Sequence, residues 1–256
     1  LTDVIYTSPA GPVRGYLAVP RSVGPWPGVV VIMDVLGMSD DLRQQCDRLA
    51  SHGYLALAPD LYSWGPKISC VRATFAALRR RSGRAFVDIE SARAWLGARS
   101  DCTNKVGVIG FCMGGGFALL VAPRFDFAAS SVNYGQVPKD SDHLLLGSCP
   151  IVGSYGGKDR TLRGHAQRLE GNLERLGIDH DVKEYPGAGH GFMNHHGGVL
   201  GAMARVLGVG YEAEAAEDAW RRILSFFEGY LRTEVQSGAG SSELGETRSG
   251  GGSASS

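Results

Sequence analysis

The sequence predicts an α/β fold: a mostly parallel, doubly wound sheet with helices on both faces. Three observations predict it. Short apolar, β-branched runs alternate along the chain with longer segments of helical period, the order expected of βαβ units. The run VVVIMDV (Val29 to Val35) is apolar without alternation, as a strand buried on both faces must be. The 256 residues are enough to bury a large core without disulfide or metal staples.

The elements follow in order. Pro27-Gly28 opens the Val29–Val35 strand. A helix starts near Asp40, with Leu42, Cys46, Leu49 and Ala50 on one face, and Gly53 ends it. Tyr54 to Ala58 is a short strand closed by Pro59-Asp60. Residues 61–85 read as irregular and rich in arginine. Val87 to Arg99 is a helix with Ile89, Ala92 and Leu96 inward. Lys105 to Gly110 is a strand, Met113 to Val121 a helix, and Phe127 to Val132 and Pro150 to Tyr155 are strands. Leu162, Ala166, Leu169, Leu173 and Leu176 form one helical stripe ended by Gly177. His180 to Tyr185 is a strand and Ala213 to Leu231 an amphipathic helix. Residues 1–235 thus read as one domain. Residues 236–256 read as a disordered Gly/Ser-rich tail, because Leu244 is their only large apolar residue.

Composition excludes several functions. Lys+Arg and Asp+Glu number 26 each, so there is no net field to gather nucleic acid or an anionic membrane. No apolar run is long enough to span a bilayer, and the first residues lack the basic and apolar regions of a signal peptide. Five cysteines, an odd number without a CxxC pair, read as reduced thiols of a cytoplasmic protein. The adjacent His195-His196 lack metal-ligand spacing, so neither a metal nor a cofactor is expected.

The chemistry concentrates in Gly110-Phe111-Cys112-Met113-Gly114, where an apolar strand runs into a helix. This is the pattern of a nucleophile elbow with Cys in place of Ser. Small residues at 110 and 114 suit so sharp a turn. The turn sets the sulfur at a helix N-terminus, which favours a thiolate, and aims the Met113 amide at a developing oxyanion. A phosphate-binding loop fits less well: Gly116 stands where the P-loop Lys is required. The plain alternative is a tightly packed helix with Cys112 as a small buried hydrophobe. Asp159 follows a strand, and His190, in Gly187-Ala-Gly-His-Gly-Phe192, follows the last one. Taken singly, these are a turn Asp and a loop His. Together they give the order nucleophile, acid, base, each at a strand's C-terminal end, as in α/β-hydrolases.

These motifs resemble the dienelactone hydrolase family, the cysteine branch of the α/β-hydrolases. GFCMGG (Gly110 to Gly115), GGKD (Gly156 to Asp159), GAGHGF (Gly187 to Phe192), APDLY (Ala58 to Tyr62) and the closing AEDAWRRILSFFEGYL carry the likeness over roughly residues 10–232. The resemblance implies cofactor-free hydrolysis of small-molecule esters or lactones, with Cys112 as nucleophile, His190 as base and acid, and Asp159 orienting it. It further implies Val35 N–H as second oxyanion donor, and Asp34 as the carboxylate that meets the resting thiol; alternatively Asp34 is a turn residue. The family's substrate-binding Arg, four residues after the histidine, is Asn194 here, which implies little preference for anionic lactones. The resemblance also implies a carboxylate-binding Arg in the middle region, for which Arg72, Arg79, Arg80, Arg81 and Arg84 are candidates; the favoured reading of these is a solvated helix face. The competing readings are a non-catalytic or a redox-sensing relative of these hydrolases.

Overall fold

The computed structural model describes residues 2–195 and 210–232. Eight strands form one sheet: β1 (Thr2–Ser8), β2 (Gly11–Ala18), β3 (Trp26–Ile32), β4 (Leu55–Pro59), β5 (Cys102–Phe111), β6 (Ser130–Asn133), β7 (Ile151–Gly156) and β8 (His180–Tyr185). Their spatial order is β1-β2-β4-β3-β5-β6-β7-β8. The β1–β2 and β2–β4 pairs are antiparallel; all pairs from β4 to β8 are parallel. The α/β-hydrolase fold expected from the sequence is therefore present, with an added N-terminal hairpin.

Helices α1 (Asp40–Ser51), α2 (Lys67–Arg80), α3 (Arg84–Gly97), α4 (Met113–Val121), α5 (Ser141–Leu144), α6 (His165–Leu176) and α7 (Ala213–Phe227) connect and cover the strands. Residues 29–32 are fully buried, as the unbroken apolar run requires. Ser39 caps α1 by accepting from the Leu42 amide at 3.2 Å, and Leu42, Cys46, Leu49 and Ala50 face the core.

Besides the single turn α5, two larger features depart from the sequence reading. The first is the β1–β2 hairpin. The second is α2, which lies within residues 61–85. Its buried stripe consists of Cys70, Thr74 and Ala77, while Ile68 and Phe75 are exposed. A stripe of small and polar residues carries little apolar period, so the helix escapes pattern reading. The Leu162 stripe also divides: a short 3-10 turn spans Arg160–Leu162 before α6 starts at His165. The tail at 236–256 lies outside the described residues.

Strand order reverses between β3 and β5. The chain leaves β3 for β4 on one side, then crosses back to place β5 on the other. Connections after β3 and β5 thus part in opposite directions and leave a crevice beyond the strands' C-terminal ends. Residues 33–37 and 112 stand at its edges. All five cysteines are free, and no described helix is long and apolar enough to cross a membrane.

Candidate active site

Cys112 joins β5 to α4 with φ 55° and ψ −113°, a conformation rarely adopted by a residue with a side chain. Close packing on both sides holds it there. A Cβ on Gly110 would stand 2.0 Å from the Gly114 carbonyl oxygen, and one on Gly114 would stand 2.2 Å from that of Ile32. The elbow therefore closes only with glycine at both positions. The Cys112 amide donates to Asn133 O at 3.0 Å, which ties the turn to the end of β6.

The acid and the base come from two loops that are laced together. Gly157 N donates to Tyr185 O at 2.8 Å and Lys158 N to Ala188 O at 2.9 Å. Asp159 follows β7 and is buried. One carboxylate oxygen accepts from the Thr161 amide at 2.9 Å and its hydroxyl at 2.6 Å; the other meets His190 Nδ1 at 2.5 Å. The opposite ring nitrogen, Nε2, lies 3.1 Å from Cys112 Sγ. The structure thus brings Cys112, His190 and Asp159 into one chain of contacts across three loops. Burial alone would lower the His190 imidazolium, but the hydrogen bonds and charges of Asp159 and Cys112 outweigh it and raise the group to about 10. Burial would raise the Asp159 carboxyl, yet its bonds to His190 and Thr161 hold it below the usual range.

Met113 opens α4, so its amide has no carbonyl partner one turn back in the helix. The Val35 amide makes no hydrogen bond among the described residues. The first turn of α4 lies against the 32–33 backbone, where a Gly114 Cβ would also stand 2.7 Å from Met33 O. Tyr62 bridges the two sides: its hydroxyl donates to Val35 O at 3.3 Å and approaches the Met113 sulfur at 3.8 Å. Burial, with the charges of Asp34, Asp60 and Cys112, pushes Tyr62 up to about 12, so it remains a donor at neutral pH.

Asp34 is buried at the end of β3. Its carboxylate accepts from Leu36 N at 2.8 Å and its carbonyl from Gly37 N at 3.2 Å, a turn role. Its charge acts with that of Cys112 on Tyr62 and Tyr134.

The arginines of α2 are solvated as expected, and some of them also reach the site. A cavity of about 1010 Å³ opens over Cys112 and His190, and Arg72, Arg79 and Arg81 line it. Arg81 pairs with Asp140, whereas Arg72 and Arg79 have no ion pair or hydrogen bond among the described residues. Arg72 and Arg79 are exposed, as a solvated face requires, and they also line the cavity. Val71, Phe75 and Leu78 from the same helix, with Leu120 and Leu162, supply apolar wall. Asn194 also differs from expectation. It is buried away from the cavity, its amide donating to Asp41 at 2.7 Å and its oxygen accepting from Tyr134 Oη. Sequence reasoning missed Tyr134, whose ring meets the His190 imidazole edge to face at 5.4 Å. Its place just after β6, at a strand's C-terminal end, was the available signal.

The model of the dienelactone hydrolase family matches residues 13–231. A Yersinia pestis protein that bears the provisional name carboxymethylenebutenolidase is 29% identical over 83% of this chain and 82% of its own. A Saccharolobus solfataricus protein of the same provisional name is 28% identical over 88% of this chain and 96% of its own. Among solved structures, a provisional dienelactone hydrolase from Klebsiella pneumoniae superposes with a TM-score of 0.68 at 25% identity. That match covers 90% of this chain and 100% of the other.

Proposed function

The chain belongs to the dienelactone hydrolase family and is a hydrolase of carboxylic ester or lactone bonds, and we propose that Cys112, His190 and Asp159 carry out its reaction. The carrying observation is the unbroken line from Cys112 Sγ through His190 to Asp159, with contacts of 3.1 and 2.5 Å, at the switch point of the sheet.

In this reading His190 Nε2 takes the thiol proton and the sulfur attacks the acyl carbon. The carbonyl oxygen becomes an oxyanion and accepts from the Met113 and Val35 amides. His190 then gives its proton to the departing alkoxide, leaving a thioester on Cys112. Water, deprotonated by the same nitrogen, cleaves the thioester and restores the thiol. Asp159 keeps Nδ1 protonated and Nε2 aimed at the sulfur throughout. Asp34 shapes the turn that presents the Val35 amide, and no metal or cofactor enters any step.

The substrate is a small-molecule ester or lactone. The cavity combines apolar wall with two guanidinium groups that have no partner among the described residues, which suits an acyl group that carries an anion. A carboxymethylenebutenolide, the compound class in the relatives' names, is one such molecule to test. Five free thiols support a reducing, cytoplasmic setting.

The test is steady-state hydrolysis of a p-nitrophenyl ester. Cys112→Ala and His190→Ala should each lose several orders of magnitude in kcat, and Asp159→Asn less. Undiminished turnover in Cys112→Ala would remove Cys112 as nucleophile, and a wild type without turnover would leave the non-catalytic or redox-sensing reading instead.

A further inference from the structure

Asp41 is the second residue of α1, and its carboxylate is not used to cap that helix, which Ser39 does. The side chain is buried, and no described cation pairs with it. Burying a carboxylate without a counter-charge is costly unless hydrogen bonds replace its water. Here three do. One oxygen accepts from the His195 amide at 2.8 Å. The other accepts from Asn194 Nδ2 at 2.7 Å and Gln45 Nε2 at 2.9 Å.

Two of those donors belong to the loop that carries His190. Asn194 N bonds back to Gly191 O at 2.9 Å, so the segment after the histidine is a closed turn fastened at Asp41. Asn194 then accepts from the Tyr134 hydroxyl, and the Tyr134 ring stands against the imidazole. The Tyr134 backbone is in turn held by Ser154 O at 2.8 Å. The network therefore reaches His190 twice, along the chain and through the aromatic ring. Neither path passes through Asp159.

We propose that Asp41, with Asn194 and Tyr134, positions His190 against Cys112, a second orienting device independent of Asp159. It rests on the reading of His190 as the base. Asp41 touches no reacting atom. It is a positioning residue, and this role accounts for a carboxylate buried under α1. An amide at position 41 would set a donor against the Asn194 or His195 donor and release that side of the loop. The groups facing the imidazole are the Cys112 thiol, the Asp159 carboxylate and the Tyr134 ring, with the Asp34 and Asp41 charges acting on Tyr134.

Two variants test this. Tyr134→Phe keeps the ring and removes only the hydroxyl that holds Asn194; Asp41→Asn removes the anchor. Each should lower kcat for a p-nitrophenyl ester about tenfold or more while KM moves less than about threefold, since a misplaced base slows chemistry rather than binding. The second readout is the pH dependence of Cys112 alkylation by iodoacetamide. A loosened imidazolium stabilises the thiolate less, so alkylation at pH 6 should fall relative to that at pH 9 in both variants. A residue that only held the fold would lower the melting temperature without moving this profile. Should Asp41→Asn not fold, Tyr134→Phe decides alone. Wild-type kcat and an unmoved profile in the folded variants, with His190→Ala inactive, would overturn the proposal. Full activity in His190→Ala would instead remove the reading on which it rests.

Discussion

Alanine substitutions along the elbow test whether its backbone presents the sulfur. At Gly114 a Cβ would lie 2.2 Å from Ile32 O, about 0.8 Å inside the 3.0 Å that real Cβ atoms respect; at Gly110 the 2.0 Å approach to Gly114 O leaves a deficit of about 1 Å. Both obstacles are backbone, so α4 must move off the sheet by a comparable distance. Overpacking against mobile side chains costs about 1–3 kcal/mol, and a rigid carbonyl places these two at or beyond the upper end. Gly116 is the control. Its Cβ would meet only Leu78 side-chain atoms, at 3.3 Å and beyond, and it sits inside α4, where Ala gains about 1 kcal/mol over Gly. We expect Gly116→Ala to fall within about 1 kcal/mol of wild type and Gly114→Ala and Gly110→Ala to lose about 3 kcal/mol or more. Urea denaturation followed by circular dichroism measures this. Any folded Gly114→Ala should also lose about 10²-fold in kcat/KM, because the nucleophile shifts by nearly 1 Å. Gly114→Ala with wild-type stability and turnover would refute the close-packed elbow.

Other consequences can be measured on the same protein. The double variant Arg72→Ala/Arg79→Ala should raise KM for an anionic p-nitrophenyl hemisuccinate about tenfold, some 1.4 kcal/mol, and leave a neutral acetate ester nearly unchanged; equal effects on both would remove the anion reading. Asn194→Arg should destabilise by about 2–4 kcal/mol, since a buried amide bonded to Tyr134 and Asp41 gives way to a guanidinium, and a thermal melt within error of wild type would contradict this placement. Folding raises the His190 imidazolium from 6.5 to about 10, so its contribution to stability is complete below about pH 6.5 and is lost as pH rises through about 10. Cys112→Ala removes one of the raising partners, and the His190 midpoint in an NMR titration should fall below the wild-type value; an unmoved midpoint would deny the contact.

The parts legible in the sequence are those whose cause is local. Met113–Val121 and His180–Tyr185 have the bounds their patterns predict, because an apolar helix behind an elbow and a short strand bounded by turns carry their own signals. Cys112, Asp159 and His190 were each marked by glycines that their turns require. Other features depend on packing. Cys70, Thr74 and Ala77 form the buried stripe of α2, and residues so small or polar give little apolar signal. Burial of that stripe also turns Arg72 and Arg79 over the cavity, a direction that no periodicity records. Asn194 stands four residues after the histidine, but the turn closed at Gly191 carries it inward to Asp41, some 150 positions earlier in the chain. Contacts of that range leave no local trace.

The central claim is a covalent intermediate on Cys112, and it can be weighed directly. The protein is mixed with an excess of p-nitrophenyl ester, quenched in acid within the first turnover, digested and analysed by mass spectrometry. The mass of one acyl group is expected on the peptide that contains Cys112 in the wild type, and no such adduct in Cys112→Ala. Acylation of another residue, or unimpaired turnover in Cys112→Ala with no adduct at all, would contradict it.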